Sequence, residues 1–253
     1  MDAMLQQCDR MRRLARSEPA PRYEVRMERL AVLEKMVFEN RYKIVDAVDA
    51  DFGGSTGGRG KPYCFLGDVF AGLNTVREVK SHLHEWMGPE NLDLGWTRFP
   101  FNAMGKASIH TKPLGVVLVL TPWNFPFHIP ISAIGDILGA GNRVVVKPSE
   151  VTPRTSALLV ELVRKTFEPD VVSVFTGGPE VATTLASTPF DHILFIGAGE
   201  IGKKVLASAA PNLTKVTLEL GGKNPVFVCP DYDLGRAAHT IAMEKLENAG
   251  QVC

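Results

Sequence analysis

What this chain lacks narrows its function before any motif is read. It has no surplus of charge: 28 Lys+Arg stand against 28 Asp+Glu in 253 residues, and a broad nucleic-acid or anionic-membrane footprint needs a cationic excess. It has no long apolar run. The longest, Val116–Leu120, falls far short of the roughly 20 residues that span a bilayer. Residues 1–21 carry basic side chains but no apolar stretch, so no secretory signal is readable. The cysteines Cys8, Cys64, Cys229 and Cys253 are scattered without a CxxC spacing, which fits reduced thiols and a cytoplasmic location. No His-Glu-x-x-His occurs, and His82 and His84, two apart in a helical stretch, fall on different faces. No metal site is expected.

What is present is an ordinary soluble composition, 45% hydrophobic and 22% charged, long enough for one or two domains with a sizeable core. The first hundred residues read mainly as helix. Leu30, Leu33, Val37, Ile44 and Val48 recur at helical steps, which predicts one long helix ending near Phe52. The glycine-rich stretch 53–60 lacks a following Gly-Lys-Ser/Thr and reads as a flexible connection; a second helix is expected over 63–86. From Leu114 the texture changes. Short apolar strands are expected at 115–120, 143–146, 171–175, 192–196, 216–220 and 225–228, separated by helical segments. That alternation predicts an α/β fold: N-terminal helices, then a doubly wound parallel sheet of the Rossmann kind.

In such sheets ligands bind at the C-terminal ends of the strands. Four motifs sit there. In Thr121-Pro122-Trp123-Asn124-Phe125-Pro126-Phe127 two prolines fix the backbone around one amide, the kind of donor that stabilises an oxyanion; an Asx-turn explains the same residue. Lys147-Pro148-Ser149-Glu150 offers a cation and an acid three apart, suited to a ribose or phosphate, or simply to a solvated loop and helix start. Gly197-Ala198-Gly199-Glu200-Ile201-Gly202 is a G-x-G-x-x-G between a strand and a helix, and reads as a helix N-terminus near a pyrophosphate. The acid that should follow such a motif by about 20 residues would be Glu219. That residue belongs to a fourth motif, Leu218-Glu219-Leu220-Gly221-Gly222-Lys223. A carboxylate between apolar neighbours is equally a candidate base with a raised pKa, and Cys253 a candidate nucleophile.

In order and spacing these motifs resemble the aldehyde dehydrogenase superfamily. Asn124 to Lys147 is 23 residues, Lys147 to Glu219 is 72, and Glu219 to Cys253 is 34. The similarity covers the whole chain and is nearest the class 3, or fatty and aromatic aldehyde, branch. It implies oxidation of an aldehyde to a carboxylic acid with NAD or NADP. Cys253 would be the nucleophile, Asn124 the oxyanion donor and Glu219 the base that activates water. Thr121, Trp123, Lys147, Glu150, Gly197, Gly202 and Leu220 would contact the cofactor. The implied domains are an N-terminal helical region with part of the oligomerisation strands (1–113), a cofactor domain (114–220) and the start of a catalytic domain (221–253). A homodimer is implied for the full-length enzyme, no nucleic acid is expected, and a C-terminal membrane tail is left open.

Two departures from the family pattern carry expectations. Where the family has Phe-Thr-Gly-Ser, this chain has Phe195-Ile196-Gly197-Ala198, and each lost hydroxyl removes a hydrogen bond worth roughly 0.5–1.5 kcal/mol net. The chain also ends on the nucleophile, before the family's Glu-x-Phe-Gly-Pro segment. The expectation is therefore a fragment of an aldehyde dehydrogenase, inactive by itself; the alternative is a short nucleotide-binding or structural protein without catalysis.

Overall fold

The structure is a computed structural model that describes residues 1–54, 58–95, 100 and 105–253. Helices open the chain: α1 (Asp2–Ser17), α2 (Tyr23–Glu39), α3 (Arg41–Asp51), α4 (Lys61–Cys64) and, after a π-helical turn at Phe65–Phe70, α5 (Ala71–Trp86). The single long helix expected through Val48 is in fact two. Asn40 divides it: its backbone, at φ −103° and ψ 10°, leaves helical geometry, and its side-chain amide joins its own N–H in donating to the Met36 carbonyl, at 2.9 and 3.3 Å. The apolar face survives the break, with Leu30, Leu33, Val37, Ile44 and Val48 all fully buried. Of the glycine-rich connection, residues 55–57 lie outside the described residues. A short antiparallel ribbon, β1 (Glu90–Leu92) with β2 (Ala107–Ile109), follows α5.

The rest alternates strand and helix: β3 (Val116–Leu120), α6 (His128–Gly139), β4 (Arg143–Lys147), α7 (Pro153–Thr166), β5 (Val172–Val174), α8 (Pro179–Ala186), β6 (His192–Gly197), α9 (Gly199–Ala209), β7 (Lys215–Leu220) and α10 (Leu234–Leu246). The strands form one sheet in the order β5-β4-β3-β6-β7, parallel at every pairing. Side chains alternate between its two faces. Val117, Val119, Val144 and Val146 join the core made with α2, α3, α5, α6 and α7. Val116, Leu118, Leu120, Val145, Ile193 and Phe195 join a second core with α1, α8 and α9. Burial on both faces explains why β3 reads as an unbroken apolar run, and each such side chain contributes about 1.5–3 kcal/mol of transfer free energy.

From β3 the chain winds outward through β4 to β5, then returns to the other side of β3 to lay down β6 and β7. The strand ends at β3 and β6 are therefore the switch point where an open α/β sheet holds its ligand. The strand expected at 225–228 does not form. Among the described residues nothing pairs with β7 on its outer side, and Phe227 is 89% exposed; apolar letters alone do not make a strand without a ladder partner. No helix among the described residues is long and apolar enough to cross a membrane.

Candidate active site

A groove of about 440 Å³ opens at the switch point. The residues following β3 bring Thr121 and Trp123 to it, those at the end of β4 bring Lys147 and Glu150, and the end of β6 brings Gly197. Thr121 is buried and its Oγ1 has no hydrogen-bond partner, an orphaned polar atom in a groove wall that a ligand hydroxyl or phosphate oxygen would satisfy. The Lys147 ammonium, 5% exposed, donates to the Pro148 carbonyl at 2.8 Å and to Glu150 Oε2 at 2.9 Å. Partial burial pushes the Glu150 carboxyl up, but the Lys147 hydrogen bond, a backbone N–H and the Lys147 charge outweigh it, so its pKa lies below the ordinary value. At the far wall α9 begins behind Ala198, which offers no side-chain cap. Such a helix start presents its first N–H groups and the positive end of its dipole to an anion.

Two of the residues expected at the cofactor do something else. Gly202 is buried in the α9–β7 contact, where an added Cβ would lie 3.3 Å from Leu220 Cδ2 and 3.4 Å from Leu218 Cδ1. It allows the helix to sit close on the strand. Leu220 packs over that glycine and, like it, does not line the groove. Sequence reasoning missed Ser149, Ile201 and Lys204, which do line it. Ile201 and Lys204 are two and five residues beyond Gly199, so helical spacing on α9 was the available signal.

The second assembly surrounds Asn124, the neighbour of Trp123. Its Nδ2 donates to the Gln251 carbonyl at 2.9 Å, and Asn248 Nδ2 donates to the Asn124 carbonyl at 3.2 Å. An amide nitrogen carries two N–H groups, so one remains for an oxyanion. The loop that makes these contacts holds Asn248, Ala249 and Gly250 at φ 49°, 56° and 75°, a left-handed path closed by Gln251 Nε2 donating to the Asn248 carbonyl at 2.8 Å. Two residues on, the Cys253 carbonyl accepts the Gly222 N–H at 2.8 Å, and the Cys253 side chain is exposed. Hydrogen bonds thus link Asn124 to Asn248 and Gln251, and Cys253 to the turn that follows Glu219.

Glu219 itself is exposed on edge strand β7. It pairs in register with Ile196. Alternation puts it on the sheet face opposite Leu218 and Leu220, hence opposite α9, and it does not line the groove.

What fixes the Asn124 loop is a buried ion pair that the sequence reading did not identify. Asp68, on the π-helical turn, is fully buried; its Oδ2 accepts from Arg59 Nη1 at 3.0 Å. Its Oδ1 accepts the backbone N–H groups of Phe127 and His128 at 3.0 and 3.1 Å, clamping the start of α6. Burial pushes the Asp68 carboxyl up, opposed by Arg59 and those two N–H groups. Burial holds the His128 imidazole below its ordinary pKa. The Arg59 guanidinium lies 4.5–4.9 Å from the ring centres of Phe52, Tyr63 and Phe125. The signal was an acid inside an apolar helical stretch, Phe65-Leu66-Gly67-Asp68-Val69-Phe70, which demands a partner.

The pattern of the aldehyde dehydrogenase family matches residues 26–253. This chain belongs to the aldehyde dehydrogenase family. A coniferyl aldehyde dehydrogenase of Pseudomonas sp. is 38% identical over 97% of this chain and 49% of its own length. The dimeric, NADP-preferring aldehyde dehydrogenase of Canis lupus familiaris is 34% identical over 91% of this chain and 49% of its own. Among solved structures, substrate-bound AldH of Staphylococcus aureus superposes with a TM-score of 0.89 at 30% identity, over 98% of this chain and 52% of that one. AldC of Pseudomonas syringae, solved with NAD+ and octanal, gives 0.82 at 26% identity, over 99% and 49%. The chain spans about half the length of the aldehyde dehydrogenases it matches.

Proposed function

We propose that this chain carries the cofactor groove and the nucleophile of an NAD- or NADP-dependent enzyme that oxidises an aldehyde to a carboxylic acid in the cytoplasm. The observation that carries this reading is the hydrogen bond from Asn124, next to the groove-lining Trp123, to Gln251, two residues before Cys253. Residues 114–220 form the cofactor domain in this reading, residues 1–113 the helical and oligomerisation region, and 221–253 the start of the catalytic domain. The names of the relatives support an aromatic aldehyde as substrate and a homodimer as the assembly.

The cofactor fits the groove through three features. Lys147 and Glu150 offer a donor and an acceptor for ribose hydroxyls, the start of α9 faces a pyrophosphate, and Thr121 supplies a free hydroxyl. Bound there, the nicotinamide supplies the hydride acceptor. The Cys253 thiolate adds to the aldehyde carbon, and the second N–H of the Asn124 amide, together with the Cys253 backbone N–H, holds the oxygen as its charge develops. Departure of hydride leaves an acyl thioester on Cys253. Glu219 takes a proton from water, hydroxide attacks the acyl carbon, the carboxylic acid leaves and the thiolate is restored.

Alkylation of Cys253 tests the nucleophile. With NAD+ and benzaldehyde present, its reaction with iodoacetamide, followed by peptide mass spectrometry, should slow several-fold while that of Cys229 does not. Equal protection of both thiols, or of neither, overturns the assignment.

A further inference from the structure

Asn124 is held at two points, its backbone carbonyl and its side-chain amide, and one side chain bears on both. Asn248 Nδ2 donates to the Asn124 carbonyl at 3.2 Å and to the Gln251 carbonyl at 3.3 Å. The same Gln251 carbonyl accepts Asn124 Nδ2 at 2.9 Å, and Gln251 Nε2 returns to the Asn248 carbonyl at 2.8 Å. Three amides thus close a ring. The backbone path it closes on is one that side chains resist: Asn248 and Ala249 lie at φ 49° and 56°, with ψ 35° and 34°. Asn tolerates that left-handed region, whereas the Cβ of Ala249 is crowded against its own backbone, and the ring holds the turn against that cost. The Asn124 carboxamide is constrained as well. Its Oδ1 is buried with no hydrogen-bond partner, and an unmet buried acceptor carries a desolvation cost. Nitrogen rather than oxygen is fixed on the Gln251 side because a carbonyl can only accept.

We propose that Asn248 is a positioning residue for the oxidation: by seating the Gln251 carbonyl it sets the orientation of the Asn124 amide, and so keeps the second N–H of that amide free for the developing oxyanion. The inference rests on the aldehyde-oxidation reading, in which Asn124 is the oxyanion donor. Asn248 acts through Asn124 and does not line the cofactor groove. Its chemistry suits the task, because one side chain must supply two N–H groups to two carbonyls from a left-handed backbone. Ionised Asp has the same shape but only acceptors, and Gly fits the backbone but has no donor. The loop has a second anchor outside the ring, the Tyr63 hydroxyl, which donates to Glu247 Oε1 at 2.8 Å.

The test reads the Asn124 side chain by NMR and needs neither aldehyde nor cofactor. Its failure is therefore distinct from failure of the oxidation reading, which shows in the alkylation of Cys253. In the unaltered 253-residue chain the Asn124 side-chain N–H bonded to Gln251 should exchange slowly with water. Asn248→Asp and Asn248→Gly both keep the left-handed backbone accessible and remove the donors. Each should speed that exchange about tenfold, the effect of losing one hydrogen bond. Tyr63→Phe, which frees the same loop at Glu247, should leave it nearly unchanged. The Gly222 N–H, held by the Cys253 carbonyl at 2.8 Å, reports on the fold of the segment and should stay protected in all three variants. Asn124 exchange that is unmoved in both Asn248 variants, or equally fast in Tyr63→Phe, overturns the proposal. Loss of Gly222 protection in the Asn248 variants also overturns it, since Asn248 would then merely hold the segment folded. Should neither Asn248 variant fold, the unaltered chain decides: Asn124 side-chain exchange as fast there as in the urea-unfolded chain overturns the proposal, and slow exchange beside an unchanged Tyr63→Phe supports it.

Discussion

Asp68 Oδ1 lies 3.0 Å from the backbone nitrogen of Phe127, across 59 residues of sequence. This contact ties the N-terminal helices to the loop that presents Asn124, so the carboxylate acts on the site through backbone position. Asp68→Ala leaves the Arg59 charge buried without its partner, and such a loss costs about 3–5 kcal/mol. Urea unfolding followed by tryptophan fluorescence should show it. A loss below about 1 kcal/mol would mean that the clamp is not holding the loop.

The four thiols should separate into two pairs. Burial pushes Cys8 up to about 12 and Cys64 up to about 11, whereas Cys229 and Cys253 are exposed. A disulfide-exchange reagent at neutral pH should therefore titrate two thiols quickly, and the other two only after unfolding, because the thiolate is the reacting form. Cys253→Ser should reduce the fast count to one. Three or four fast thiols in the folded protein would contradict the buried positions of Cys8 and Cys64.

Acidification should weaken the fold in the histidine range. Burial lowers the pKa of His128, and burial with the Lys215 charge lowers that of His192, both from an ordinary 6.5. A depressed folded-state pKa means that the unfolded chain takes up protons first as pH falls. The stability these groups contribute is present above 6.5 and is lost as pH drops through the folded value. Unfolding free energy measured from pH about 7.5 to about 5 should decline, and His128→Gln should flatten the slope. An unchanged slope in that variant removes His128 from the account.

Much of this was legible from the sequence, for identifiable reasons. β3, β4 and β5 follow from apolar, β-branched segments buried on both faces, β6 and β7 from segments of alternating character that are less covered, and the groove follows from where those strands end. That Lys147, Glu150 and Gly197 line the groove was legible because strand ends and a helix start mark themselves by turn chemistry. The helix break at Asn40 was hidden, since the apolar steps continue in phase across it and only a side chain bonding its own backbone shows the interruption. The absent strand at 225–228 was misread because period and composition report on a segment, whereas a strand needs a neighbour. Arg59 and Asp68 were missed because they join a loop read as a connection to a helix read as packing, a pairing that exists only in three dimensions.

The central claim is that the switch-point groove holds a nicotinamide dinucleotide while Glu219 stands apart from it. Calorimetric titration of NAD+ into the chain, into Lys147→Met and into Glu219→Gln tests both halves together. The account predicts saturable one-site binding, about tenfold weaker in Lys147→Met for the loss of one charged hydrogen-bond donor, and unchanged in Glu219→Gln. Binding indifferent to Lys147, or abolished in Glu219→Gln, would contradict it.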